Sequence, residues 1–391
     1  MTEDDCARTT SRPLVAEFFA GVGLVRLGLE SAGFEVVWSN DIESAKHDMY
    51  RGHFGRDSSG HTYALEDVAA ITGTDLPQDL ALAWASFPCT DLSLAGNRSG
   101  LDGQHSSTFW HFTRILRELG PHRPRVVALE NVIGMATSHG GEDLRAAVRE
   151  LNELGYSVDL LVLDARRWVP QSRPRLFIVG ALSAPQDYPT PNDSIRPAFL
   201  DTFFADAGLT THRAQLPDPP PLRDGGLPEV VAVRGGEGNS WWDADRIARF
   251  TSSLSPLNAL RIERLASNRR WSYRTAYRRT RNGQAVWEIR NDEIAGCLRT
   301  ARGGSSKQAL VRAGYGEIKV RWLSPREYAR LMGAPDYELT NVKPNQAYFG
   351  FGDAVCVPAI EWLGRSYLRP LLTGVWPDTE AQLSFDLASA L

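Results

Sequence analysis

The chain has 391 residues, 42% of them apolar and 23% charged, with a formal net charge of −4. That balance excludes a disordered or fibrous chain and argues against a protein that coats nucleic acid along its whole surface; it leaves a soluble globular protein of one large domain or two ordinary ones. The four cysteines (Cys6, Cys89, Cys297, Cys356) make no C-x-x-C pair and no Cys/His zinc spacing, so a reduced, cytoplasmic setting without a bound metal is expected. The acidic, polar start Met1-Thr2-Glu3-Asp4-Asp5-Cys6 is not that of a secretory signal, and no apolar run reaches the length of a membrane span.

The first 180 residues alternate strand-like and helix-like segments. Pro13 to Phe19 is a short apolar run ending in the turn Ala20-Gly21-Val22-Gly23, after which Leu24 to Ala32 carries apolar residues at helical spacing and Gly33 stops it. Glu35 to Trp38, Leu80 to Phe87, Arg125 to Leu129, Leu160 to Leu163 and Leu176 to Gly180 read as strands. Phe109 to Leu119 and Glu142 to Leu154 read as amphipathic helices. The alternation predicts an α/β domain, a parallel or mixed sheet covered by helices. After Gly180 prolines accumulate and periodicity fades, and from Asn239 to about Gln308 the chain is rich in Trp and Arg. Residues 185–317 are therefore expected to form a separate, loop-rich module inserted between two parts of one sheet domain, 12–184 and 318–375. Near Val320 the α/β style returns with Leu323-Ser324-Pro325-Arg326-Glu327, a capping box that starts a helix.

Several turns carry groups suited to chemistry. Pro88-Cys89 follows an apolar strand, which puts a thiol at the carboxyl end of a strand, where open parallel sheets place their reactions; a small core residue is the other reading of this Cys. Phe19-Ala20-Gly21-Val22-Gly23 lets backbone approach a ligand closely, although a tight turn alone has the same pattern and the third glycine of a dinucleotide fingerprint is missing. Asp41, beside Ile42, can accept from two ribose hydroxyls, and Asp67, beside Val68, lies at an adenine-contacting position; loop carboxylates are the bland alternative. Glu130 follows a strongly apolar strand, so partial burial raises its pKa and suits it to donate a proton, unless it is a strand-end ion pair. Arg173 and Arg175 in Gln171-Ser172-Arg173-Pro174-Arg175 share one face of an extended segment and present two forks for a base carbonyl or phosphate, or two surface charges.

Taken in order, these motifs resemble the DNA cytosine-5 methyltransferases over about 15–180 and 320–360. Phe19 to Gly23 looks like the family's cofactor loop, Pro88-Cys89 its nucleophile motif, Glu130-Asn131-Val132 its acid motif and Gln171 to Arg175 its Q-x-R-x-R motif. Leu323 to Glu327 through Gly333 is similar to the helix supporting the recognition domain, and Gly352-Asp353-Ala354-Val355 through Pro358 to the last motif, which closes the cofactor pocket. The resemblance implies a Rossmann-like fold with an inserted target-recognition domain, and S-adenosylmethionine as cofactor, leaving as S-adenosylhomocysteine. Phe19, Gly21, Val22, Gly23, Asp41, Ile42, Asp67, Val68, Pro88, Ala354 and Val355 would bind it. Glu17, Leu24, Thr90, Leu92 and Asp353 stand where the family usually has Asp, Gly, Gln, Phe and Asn. None of these removes a group that the chemistry needs, but Thr90 and Asp353 bear on rate, loop motion and target preference.

What the resemblance implies for mechanism is a Cys89 thiolate adding to C6 of a flipped cytosine, with Glu130 assisting at N3 and Arg175, beside Arg173, holding the base carbonyl. Gly96 to Gln104 then reads as a lid. The stretch Arg261 to Arg281 holds eight arginines interleaved with Trp271, Tyr273 and Tyr277, and Leu298 to Lys307 adds a basic loop. Arg98, Arg269, Arg270, Arg274, Arg278, Arg299 and Arg302 are the expected contacts to double-stranded DNA. A transfer-RNA methyltransferase and an inactive DNA-binding relative are the rival readings; the Arg-rich insert opposes the first, and the presence of Cys89, Glu130 and Arg175 opposes the second. The resemblance suggests a bacterial restriction–modification or phage-defence setting, in which a defence complex is a conceivable partner, and a monomer is expected.

Overall fold

The computed structural model describes residues 12–55, 60–88, 108–188, 194–231, 240–281, 283–300 and 307–376. In its first part the strands are short and mostly apolar, the pattern of strands covered on both faces. They are β1 (Leu14–Phe18), β2 (Glu35–Asp41), β3 (Thr62–Leu65), β4 (Leu82–Ala85), β5 (Val126–Asn131), β6 (Ser157–Asp164) and β7 (Pro174–Ala181). They form one sheet in the order β3-β2-β1-β4-β5-β7-β6. The first five run parallel, and β7 is antiparallel to both β5 and β6. The chain winds one way from β1 to β3 and the other way from β4 onward, so the direction switches between β1 and β4, where such sheets open a crevice at their carboxyl ends.

Helices α1 (Leu24–Ser31), α2 (Ser44–Phe54), α3 (Thr108–Leu119) and α4 (Glu142–Glu153) join these strands. Alternate strand residues sort into two cores. Ala83, Ala85, Val127 and Leu129 pack with Phe109, Phe112 and Ile115 of α3 and Leu144 and Val148 of α4. Leu82, Trp84, Val126 and Ala128 pack on the other face with Val25 and Leu29 of α1, Ile360, Leu363 and Tyr367. The result is a three-layer sandwich in which the last part of the chain covers the first helix.

The inserted module differs from the loop-rich expectation in two respects. Residues 194–216 lie on the seven-stranded sheet: Val162 N–H donates to Ile195, Val158 to Thr210, and Ile195, Ala214 and Leu216 join the second core. A buried Asp159–Arg196 pair at 2.6 Å fastens this stretch, with the Tyr367 hydroxyl donating to Asp159 at 2.9 Å. After the single-turn helices α5 (Asp201–Phe204) and α6 (Leu227–Val230) come α7 (Ala244–Ser252) and α8 (Pro256–Ala266), then a four-stranded antiparallel sheet. Its strands are β8 (Ser272–Arg281), β9 (Gln284–Ile289), β10 (Ala309–Gly314) and β11 (Glu317–Trp322), in the order β11-β10-β8-β9. The module's own core gathers Trp242, Phe250, Trp287 and Val311. Its sheet runs to Trp322, past the boundary expected at 317, and its body begins near residue 240 rather than 185.

The expected capping box is present at α9 (Pro325–Leu331): Ser324 accepts from Glu327 N–H and Glu327 from Ser324 N–H. Glu327 also takes both guanidinium nitrogens of buried Arg321, at 2.8 and 2.6 Å, which ties β11 to α9. The fold closes with α10 (Pro344–Asp353), α11 (Val357–Leu363), a π-helical turn at Gly364–Leu368 and α12 (Arg369–Thr373).

Candidate active site

The cofactor loop hangs from the carboxyl end of β1. Phe19 has φ 58°, which is uncommon for a bulky residue and marks a conformation held by its surroundings. Ala20 N–H bonds the Asn40 carbonyl at 2.8 Å, and Gly21 N–H bonds the Asp41 carboxylate at 2.9 Å, so β2 sets the loop's shape. Gly23 enters α1 at φ 79°, and a Cβ there would lie 2.4 Å from the Phe54 ring, so no other residue fits. Asp41 is 7% exposed, and its second oxygen accepts from Glu43 N–H at 2.9 Å. Beside it the apolar side chain of Ile42 is 63% exposed. Asp67 is exposed at the end of β3 and accepts from Ala69 N–H, while Val68 is buried beneath it. Val22 is buried, and its carbonyl accepts from the Tyr337 hydroxyl at 2.8 Å. Val355 is buried and Ala354 half-buried just after α10.

Glu17, one residue before the end of β1, is fully buried, and neither carboxylate oxygen has a well-formed hydrogen bond. Burial pushes its pKa well up, reinforced by Glu30 and Asp41 and opposed by Arg26.

A second cluster lies at the ends of β5 and β7. Glu130 is 6% exposed and forms an ion pair with Arg175 Nε at 2.8 Å. Burial raises its pKa; Arg175, Arg173 and the Ser86 hydroxyl pull the other way without cancelling that effect. The next residue, Asn131, donates to the Phe87 carbonyl at 3.3 Å, joining the acid strand to the tip of β4. Pro88 is exposed at that tip. Cys89, Thr90, Arg98 and the expected lid from Gly96 to Gln104 fall outside the described residues, as does Arg302.

Arg173 and Arg175 do share a face: both guanidinium groups reach the Cys297 sulfur, at 3.3 and 3.9 Å. Arg173, however, is buried and committed to backbone. It donates to the carbonyls of Leu298 at 2.7 Å, Gly352 at 3.1 Å and Ala354 at 2.6 Å. It therefore joins the recognition module to the last motif rather than presenting a fork to a base carbonyl. Gln171 makes a parallel tie, donating to Leu331 and accepting from Leu298 N–H.

Cys297 was not anticipated as part of this cluster. Burial works against its ionisation, but Arg173, Arg175 and Arg299 outweigh it and lower the thiol pKa. No local pattern marks it, because the cluster forms only when a distant segment docks on β7. On the recognition module, Arg269, Arg270, Arg278 and Arg299 are exposed, whereas Arg274 is half-buried and paired with Glu293 at 3.0 Å. Among the described residues there is no group of His, Cys, Asp and Glu side chains that could hold a metal, and no helix long and apolar enough to cross a membrane.

Comparison with known proteins bears on this geometry. A model of the C-5 cytosine-specific DNA methylase family matches residues 14–219 and 230–369. The Type II methyltransferase M.HhaI of Haemophilus parahaemolyticus is 27% identical over 354 residues, spanning 89% of this chain and 91% of its own. The Type II methyltransferase M.HpaII of Haemophilus parainfluenzae is 26% identical over 375 residues, spanning 91% of this chain and 89% of its own. Among solved structures, S. pombe Dnmt2 methyltransferase superposes with a TM-score of 0.58 at 16% identity, covering 92% of this chain and 99% of that one. Entamoeba histolytica methyltransferase EhMeth does so at 0.56 and 12% identity, covering 92% and 98%. At those identities the likeness is one of fold.

Proposed function

Because this chain belongs to the C-5 cytosine-specific DNA methylase family, we propose that it methylates C5 of a cytosine flipped out of a specific duplex DNA sequence, through a covalent adduct with Cys89. The observation that carries this reading is the buried Glu130–Arg175 pair, tied through Asn131 to the strand tip that leads into Pro88-Cys89. Acid and base-binding cation thus lie beside the strand tip from which the chain runs on to Cys89.

The residues present fit S-adenosylmethionine: a glycine loop whose amide is fixed by Asp41, an exposed Ile42 for the adenine face, and Asp67 at the next strand end. When bound, that cofactor supplies an electrophilic methyl group. The chain's own residues do the rest. An ordinary thiol has a pKa of about 8.5, so a small thiolate fraction of Cys89 attacks C6 and makes C5 nucleophilic. Glu130, kept protonated to higher pH by burial, hydrogen-bonds or protonates N3 as charge builds on the ring. Arg175 orients Glu130 and faces the base carbonyl, and Arg173 fixes the segment that carries Cys297 and Leu298. Removal of the C5 proton then expels Cys89. Flipping the base costs a few kcal/mol, met by contacts from the recognition module. Arg269, Arg270, Arg278 and Arg299 are the exposed cations assigned to DNA there; Arg98 and Arg302, outside the described residues, are assigned to DNA as well. The likeness to Type II enzymes supports protection of host DNA in a restriction–modification setting as the biological role.

The test is base-resolution methylation sequencing of DNA incubated with the protein and S-adenosylmethionine, beside Cys89→Ala. Methylation at a recurring motif, lost in the variant, is the expected result. No methylation of varied DNA, with transfer-RNA methylated instead, would overturn the DNA reading.

A further inference from the structure

Lys46 belongs to none of the motifs above, yet it is held at the edge of the cofactor loop. It lies in the first turn of α2, and a Cβ placed on Gly21 would sit 3.9 Å from its Cδ. Its ammonium is 3.0 Å from the Asp353 carboxylate and 3.8 Å from Glu43. The Lys46 side chain is only 14% exposed, against 44% for Asp353, so the cation is sheltered and the anion is accessible. Burial disfavours the charge on Lys46, but Asp353, Asp41 and Glu43 outweigh it. Asp353 also accepts from the Thr300 hydroxyl, which fixes the anion from the recognition side. A cation and an anion therefore face each other where the Gly21 loop meets the end of α10. With Asn at 353, as the family usually has, Lys46 would lack this partner.

Asp41, Ile42 and Asp67 are assigned to the adenosine part of the cofactor, so its amino-acid end remains to be accommodated. That end is a zwitterion, and a desolvated carboxylate or ammonium needs an opposite charge. We propose that Lys46 and Asp353 form the subsite for this zwitterion, Lys46 taking the α-carboxylate and Asp353 the α-ammonium. The inference rests on the S-adenosylmethionine reading above.

Titration calorimetry on the full chain separates the two. The probes are S-adenosylhomocysteine and 5′-methylthioadenosine, which keeps the adenosine and sulfur but lacks the amino-acid end. Lys46→Met is expected to weaken S-adenosylhomocysteine about 10- to 100-fold while leaving 5′-methylthioadenosine binding unchanged. Unchanged binding of the shorter probe also shows that the pocket is intact, and Lys46→Arg, which keeps the charge, should restore most of the preference. Equal loss for both probes, or loss for neither, would overturn the subsite while leaving the cofactor reading standing. Failure of the wild type to bind either probe would sink the cofactor reading and the subsite with it.

Discussion

Replacing Glu130 by Gln separates chemistry from folding at one atom. The carboxylate lies 2.8 Å from Arg175 Nε, a separation that corresponds to about 6 kcal/mol of attraction at an effective dielectric of 20. That attraction is not the net value of the pair. Burial raises the Glu130 pKa despite two neighbouring arginines, so desolvation outweighs what the ion pair contributes to the charged form. Glutamine keeps an oxygen that can accept from Arg175 and removes a buried charge, so the urea midpoint should move by no more than about 2 kcal/mol equivalent in either direction. It cannot give up a proton. Loss of a general acid lowers kcat by about 10²- to 10⁴-fold, or about 3 to 5 kcal/mol of barrier. The assay is single-turnover transfer of a radiolabelled methyl group to DNA, paired with urea unfolding of the same preparations. A variant within fivefold of wild-type kcat and equally stable would refute the acid role.

Three further outcomes follow from the geometry. Glu17 has a folded-state pKa well above its ordinary value, so the folded chain holds a proton that the unfolded chain has released; stability should fall as pH rises from the ordinary carboxylate range through the folded value. Glu17→Gln should abolish that decline in melting temperature measured across pH, and parallel curves for the two proteins would refute the assignment. Arg173→Met leaves the carbonyls of Leu298, Gly352 and Ala354 without their shared donor and should cost about 3 to 5 kcal/mol by urea unfolding; a cost under 1 kcal/mol would contradict the tie. Gly352→Ala would put a Cβ 2.6 Å from the Arg299 carbonyl carbon and 2.7 Å from Thr300 N, backbone that has little room to yield, so a loss of about 1 to 3 kcal/mol is expected by the same measurement.

The seven-stranded sheet was legible because its strands carry short apolar runs, the first of them closed by a Gly-rich turn at its carboxyl end. Glu130 could be placed because it terminates one of these runs. The reversal that inserts β7 between β5 and β6 could not be read, since both neighbours look alike as apolar strands and pairing is a long-range choice. The recognition sheet was hidden for a different reason. The far end of β8 reads Tyr277-Arg278-Arg279-Thr280 and is exposed from Arg278 on, so its composition is that of a charged loop. Only cross-strand packing of Trp242, Trp287 and Trp322 makes it a sheet. Residues 194–216 misled through Pro197 and the prolines on either side, which break periodicity but not contact with β6. Arg173 was seen as a functional fork; its true neighbours, Leu298, Gly352 and Ala354, are over a hundred residues away in sequence and so invisible locally.

The packing of α11 on α1 bears on how such an enzyme is made. Gly28 of α1 approaches Ile360 so closely that a Cβ there would lie 2.6 Å from the isoleucine Cβ, and Tyr367 and Leu368 fill the same core face as Val15 and Val36. The first strand emerging from the ribosome therefore has no complete hydrophobic partner until more than three hundred further residues have been translated. A nascent or prematurely terminated chain carries the cofactor loop without the α10–α11 wall opposite it. Methyl transfer thus depends on segments far apart in the chain, and a polypeptide cut before α11 is expected to lack it, which makes the layout a check on synthesis.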